Sequence, residues 1–347
     1  MSRLVFATDL HLTEGHGGLD AFVTDLQEIA ALAPDLLVLG GDVCLWETGA
    51  GDHLQQLLHD LAFPVLHVMG NHDTDRQGSA AVFDDDFTTR FGPRNTHRSL
   101  EDADVITLNT CRLRPEFDDW RNVRAEVCAD DLVWFERTLA RLAPDRPLLL
   151  FVHIPLETTY PERRDADSDT TDVWRVTNAD AVFERLAART GPVIIGQGHL
   201  HENEHLHREG IHLVSLGSVC GRWWQQGDRT RCTDNAPRGW LLVDVDGKTV
   251  HLDYRPARAP AAWQGEIVTT NAGRWLNLFF GDPAESVEIR WDKDWVTLPA
   301  PGSVAVDDTF FSVHHWRLPA ACSADAIEVR TRKRSQSWYV GTVHPAS

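Results

Sequence analysis

Apolar runs that stop abruptly at polar residues give the first half of the chain its rhythm. Residues 4–8, 36–39 and 64–69 are almost continuously apolar, the pattern of strands covered on both faces. Between the first two, Phe22, Val23, Leu26, Ile29 and Ala30 recur at helical spacing, and 54–61 suggests a second helix. Further strands are predicted over 105–108, 148–152, 193–195 and 211–216, with helices over 132–142 and 181–188. Alternating strand and helix predicts parallel pairing through crossover helices. The segment 240–252 reads as a hairpin turning at Asp246-Gly247. Stretches 112–129 and 157–177 are polar and irregular, the signature of long functional or mobile loops.

The pattern changes at the Pro- and Ala-rich piece 255–262. Beyond it come short β-like runs over 275–280, 286–291, 310–318, 326–330 and 338–343, which predict a small β-sandwich. Two domains are therefore expected, over 1–258 and 263–347. With 347 residues, 42% hydrophobic and 24% charged, the chain has enough apolar material for both.

Lys plus Arg total 33 against 52 for Asp plus Glu, a formal charge of −19. That field repels polyanions and argues against nucleic acid or an anionic membrane as the main partner. A small phosphate ester stays compatible, because bound cations reverse the sign locally. The opening residues lack the apolar core of a signal peptide, and no stretch approaches the roughly 18 apolar residues of a membrane span. Cys44, Cys111, Cys128, Cys220, Cys232 and Cys322 are scattered without CxxC spacing, so reduced thiols in a cytoplasmic protein are expected.

Five of the predicted strands run into candidate metal-binding residues. The first leads to Asp9 and His11, the second to Asp42, the third to Asn71, His72 and Asp73. The run 148–152 leads to His153, and 193–195 to His199 and His201. Carboxyl ends of parallel strands converge on one edge of a sheet, so distance in sequence is compatible with proximity in space. Carboxylate and imidazole together suit zinc, manganese or iron, and an amide oxygen completes such a shell. Each motif alone has a plain structural reading: Asn71 as a helix cap, His153 as a core histidine, His199 and His201 as alternate residues on one strand face.

The series DxH, GD, GNHD, His and GHxH resembles that of the calcineurin-like metallophosphoesterases, in order and over residues 9 to 201. The resemblance implies a four-layer α/β/β/α sandwich with, here, a small C-terminal all-β domain. It implies two divalent or trivalent transition-metal ions, manganese, iron or zinc. Asp9, His11 and His201 would hold one, Asn71, His153 and His199 the other, and Asp42 would bridge them. His72 resembles the family histidine that contacts phosphate and protonates the leaving group, with Asp73 orienting its ring. The implied chemistry is hydrolysis by a metal-bridging hydroxide. The GNHD form resembles the class III cyclic-nucleotide phosphodiesterase group, which favours a small phosphodiester over a monoester. A non-catalytic scaffold of the same fold is opposed by the complete ligand set, and a nuclease by the acidic charge.

Four residues are candidates for substrate contact: Arg222, Trp223 and Trp224 after a Gly-rich turn, and Arg163 in the loop after His153. Each also has a structural reading, the tryptophans as anchors for the C-terminal domain and Arg163 as part of a solvated loop. Cys44, two residues past Asp42, reads as packing.

Overall fold

A strand apolar on both faces must be covered twice, and two stacked sheets between helices satisfy that requirement. The computed structural model describes residues 1–12, 18–43, 50–73, 85–114, 116–117, 120–222, 230–301, 304–305, 311–333 and 336–345. The elements begin with β1 (Ser2–Ala7), α1 (Gly18–Ala31), β2 (Leu36–Leu39), α2 (Ala50–His59), β3 (Val65–His67) and α3 (Asp85–Phe91). Then come β4 (Thr96–Ser99), β5 (Asp104–Thr107), β6 (Cys111–Leu113), β7 (Val123–Ala125), α4 (Ala129–Leu139), β8 (Leu148–Phe151), α5 (Tyr160–Arg163) and α6 (Thr171–Trp174). The half closes with α7 (Asp180–Leu186), β9 (Val193–Gln197), β10 (Glu204–Arg208), β11 (Ile211–Ser215), β12 (Gly239–Asp246) and β13 (Thr249–Pro256).

One sheet has the order β13-β12-β1-β2-β3 and the other β10-β11-β9-β8-β5-β4. Their centres are parallel, β1 with β2 and β3, and β5 with β8, β9 and β11, as crossover connections require. Successive residues of β1 face opposite ways. Leu4 and Phe6 join Val38, Leu149, Phe151 and Val243 between the sheets. Val5 and Ala7 instead pack with Phe22, Leu26, Ile29 and Leu54 of α1 and α2. On the far side, Leu148 and Leu150 meet Phe135, Val182 and Phe183 of α4 and α7. The four-layer order follows from this alternation. Phe6 and Phe151 touch across the two sheets with ring centroids 4.8 Å apart, and burying each such side chain contributes about 1.5–3 kcal/mol.

The expected 240–252 hairpin is present as β12 and β13, with Gly247 at φ 55° in its turn. β4 and β10 have no apolar run to announce them. Both are edge strands, with Arg98 and His207 among their exposed positions. The polar stretch 112–129 contains the small hairpin β6–β7 and the start of α4.

The C-terminal region comprises β14 (Gly265–Thr270), β15 (Gly273–Leu278), β16 (Ser286–Arg290), β17 (Val296–Thr297), β18 (Val304–Ala305), β19 (Phe311–Ser312), β20 (His315–Arg317), β21 (Ile327–Lys333) and β22 (Gln336–Val343). Its antiparallel sheets, β14-β15-β20 and β17-β16-β21-β22, enclose Leu276, Val287, Ile289, Trp316 and Val329. No described helix is long and apolar enough to cross a membrane.

Candidate metal centre

The carboxyl ends of β1, β2, β3, β8 and β9 bring seven expected ligands together: Asp9, His11, Asp42, Asn71, His153, His199 and His201. All seven are buried, none more than 8% exposed. Five of them, Asp9, His11, Asp42, His199 and His201, have φ between 43° and 74°. This left-handed region is uncommon for residues with a Cβ and costs on the order of 1 kcal/mol each. The buried strands behind them supply more than that, so the sheets hold the strained turns in place.

Asp9, His153, His199 and His201 are each held from behind with one atom left facing inward. Asp9 Oδ2 accepts from the Thr8 hydroxyl (2.7 Å) and the His199 N–H (2.9 Å). Its Oδ1 is buried with no hydrogen-bond donor among the described residues, 3.3 Å from His201 Nε2. His153 Nδ1–H donates to Gly40 O (2.9 Å) and His201 Nδ1–H to Gly221 O (2.8 Å), which leaves both Nε2 atoms inward. His199 is held through the other nitrogen, Nε2–H donating to Val173 O (3.1 Å). Such backbone acceptors fix tautomer and ring angle around cations.

The inward atoms fall into two groups that share one member. Asp9, His11 and Asp42 present donor atoms within 4.8 Å of one another, and so do Asp42, His153 and His199. Asp42 Oδ2 lies 3.2 Å from His153 Nε2 and 3.6 Å from His11 Nε2, while its Oδ1 accepts from the His72 N–H (2.7 Å). Asn71 Oδ1 is 3.1 Å from His153 Nε2, and His11 and His201 face each other Nε2 to Nε2 at 3.2 Å. Each of these contacts is either a hydrogen bond through a ring proton or a meeting of lone pairs that only a positive charge between them reconciles.

The four imidazoles divide in their titration: burial pushes His11 down and His199 to about 3, while the other two shift upward. Burial opposes the His153 charge, yet Asp42 and Asp9 raise its pKa to about 9. Burial likewise opposes charge on His201, but Cys220 and Asp9 hold it well above its usual value. Asp9 and Asp42 lie well below the carboxylate range although burial alone would raise them, because neighbouring imidazoles outweigh it. The donor set of carboxylate, imidazole and amide oxygen therefore fits a pair of transition-metal cations.

His72 stands apart from the seven. Its side chain is 23% exposed and its Nε2 lies 4.0 Å from Asp42 Oδ2, at the mouth of the site. Asp73 corrects its expected role. Its oxygens accept from the backbone N–H groups of Asp42 (2.8 Å), Val43 (2.9 Å) and Gly70 (2.9 Å). The carboxylate thus ties the ends of β2 and β3 together and positions Asp42, rather than orienting the His72 ring.

Arg163 is also corrected. It is 5% exposed and its guanidinium is paired with Glu202, with Glu204 at 3.5 Å. A buried arginine matched by two buried carboxylates serves the fold, not a substrate. The loop it belongs to still borders the site, through Val173 and through Trp174, whose ring lies 5.4 Å from that of His199. Arg222 is half-buried, and its backbone N–H donates to Arg231 O (2.6 Å). Trp223, Trp224 and Cys44 lie outside the described residues.

Two neighbours escape a motif reading. Thr8 anchors Asp9, and Cys220 Sγ lies 3.8 Å from His201 Nδ1. Cys220 arrives from the segment after β11, another parallel strand of the second sheet, and that placement is the one signal pointing to it.

Gly198 shows how tight the site is. A Cβ there would meet Thr8 Oγ1 at 2.2 Å and Asp9 Oδ2 at 2.8 Å. Gly198→Ala is expected to lower stability by about 1–3 kcal/mol, as overpacking does, and to weaken metal retention through Asp9. Thermal unfolding with and without chelator measures both, and a variant matching the parent in each would show that the turn relaxes freely.

Comparison with known proteins places these features in a family context. Residues 2–203 match the family model described as calcineurin-like phosphoesterase, and 214–339 the model for the C terminal of calcineurin-like phosphoesterase. A probable cyclic nucleotide phosphodiesterase of Rhodopseudomonas palustris is 32% identical over 171 residues, 48% of this chain. That alignment spans 58% of the relative, under two thirds of its length. A probable cyclic nucleotide phosphodiesterase of Psychrobacter arcticus is 27% identical over 220 residues, 62% of this chain and 74% of that protein. Among solved structures, a dimetal phosphatase from Danio rerio aligns with a TM-score of 0.51 at 14% identity, covering 74% of this chain and 96% of that one. That likeness is one of fold.

Proposed function

Given that the chain belongs to the calcineurin-like phosphoesterase family, we propose that it hydrolyses a small phosphodiester, with a cyclic nucleotide as the leading substrate class. The observation that carries this reading is Asp42, the member common to two groups of buried donor atoms. Asp9, His11 and His201 would hold one cation and Asn71, His153 and His199 the other, with Asp42 between them. Two cations so held would supply an acidified water as nucleophile and would neutralise charge on the phosphate. The relatives named as probable cyclic nucleotide phosphodiesterases support the choice of substrate class.

The protein's own groups divide the remaining work. His72, half-buried and 4.0 Å from Asp42 Oδ2, would contact a substrate oxygen and give a proton to the leaving alkoxide. Asp73 and Thr8 keep Asp42 and Asp9 aimed inward by occupying the backbone or the second oxygen behind them. Trp174, whose ring lies beside those of Tyr160 and His199, and Arg222 are the side chains we assign to the base and to a phosphate oxygen.

The test is a pair of rates on manganese-loaded protein, with bis-(p-nitrophenyl) phosphate as diester and p-nitrophenyl phosphate as monoester. The diester is expected to turn over faster. A monoester preference above about tenfold, some 1.4 kcal/mol in the barrier, would make the protein a phosphomonoesterase instead.

A further inference from the structure

A second cluster of metal-ligating side chains lies away from the centre, on the β10–β11 hairpin. The turn uses Glu209 at φ 49° and Gly210 at φ 84°, the two left-handed positions of a tight hairpin, and this fixes the register. His207 consequently sits opposite His212, and His205, two residues back, lies on the same face. Three imidazoles thus share one face at the edge of the sheet. His205 Nδ1 is 2.9 Å from His212 Nε2, and the His207 and His212 rings stack at 4.3 Å.

A carboxylate reaches them from another part of the chain. Asp282, just past β15, is 5% exposed. Its Oδ1 accepts from the Ala284 N–H (2.9 Å) and its Oδ2 from His207 Nε2–H (2.7 Å). Donor atoms of His205, His212 and Asp282 lie within 4.8 Å of one another. Phe280 packs edge-on against His205, centroids 4.2 Å apart, which restrains that ring.

We propose that His205, His212 and Asp282 bind a single zinc-class cation, separate from the dinuclear centre. Two imidazoles and one carboxylate are a borderline donor set that suits zinc and disfavours calcium or magnesium, which take oxygen ligands. His207 is the outer partner that orients the Asp282 carboxylate, and water completes a four-coordinate shell. The cation clips the hairpin that follows His201 to the segment leading out of β15, joining the two parts of the chain. This inference does not depend on the reaction assigned to the main centre.

The test equilibrates the purified chain with zinc, removes free metal by gel filtration and counts zinc by elemental analysis. The parent is expected to retain one equivalent more than His212→Gln or Asp282→Asn, with both variants keeping the parental rate on bis-(p-nitrophenyl) phosphate. For the extra equivalent, zinc affinity should fall by more than the roughly 10–100-fold that loss of an outer partner costs. Asp42→Asn, which disables the main centre, should keep the extra equivalent. Equal zinc content in the parent and both variants overturns the proposal. Should the variants fail to fold, zinc-edge anomalous scattering from crystals of the unaltered chain decides it: a peak between His205, His212 and Asp282 supports the site, and its absence overturns it.

Discussion

Asp42→Asn is expected to lower phosphoesterase turnover by at least about a thousandfold and to reduce bound metal to well below the parental content. The substitution is nearly isosteric, so the His72 N–H keeps an oxygen acceptor and the turn after β2 keeps its shape. What changes is charge. Asp42 Oδ2 lies within 3.2–3.6 Å of imidazoles from both groups, so removing its negative charge weakens both cation positions at once. Elemental analysis alongside far-UV circular dichroism checks the result. A folded variant with full metal content would break the assignment of Asp42 as the shared ligand.

The second large effect concerns His72. His72→Ala is expected to keep the parental metal content, because the side chain sits outside the two groups of converging donors. Turnover should nevertheless fall roughly a hundredfold for substrates with poor leaving groups, the usual size of a general acid's contribution. For p-nitrophenyl leaving groups, which depart without a proton, the loss should be much smaller. A series of aryl and alkyl diesters separates the cases. An equal loss across the series would make His72 a contact for the phosphate, and no loss would remove it from the mechanism.

The contrast between Asp73 and Arg163 explains where motif reading stops. Both are charged residues in the expected places, one beside His72 and one after His153. Yet Asp73 points at three backbone N–H groups, and Arg163 turns inward to Glu202 and Glu204. A charged side chain in a polar stretch looks the same in sequence whether it is solvated, catalytic or buried beside a partner. Only the position of that partner decides, and here Glu202 is 39 residues from Arg163.

Other parts of the molecule were legible from the start, for a physical reason. Strands covered on both faces must be apolar throughout, so β1, β2 and β8 declare themselves as runs. Asp9, His11, Asp42, Asn71, His153, His199 and His201 were readable as following such runs, and the resemblance to a known motif series separated them from the adjacent His72 and Asp73. The edge strands β4 and β10 were not, because one solvated face removes the apolar signal.

The sequence by itself determined the alternation of strands and helices, the polar residues that follow five apolar runs, from which the family resemblance singled out seven, and the change to short β runs near residue 260. The tertiary structure alone decided which atom of each of these residues faces inward. It also decided that Asp42 is common to both groups, that Cys220 lies behind His201, and that Asp282 meets the histidines of the β10–β11 hairpin. The division has one cause: periodicity along a chain records burial, which is local, whereas a hydrogen-bond or ion partner is chosen by folding between residues far apart.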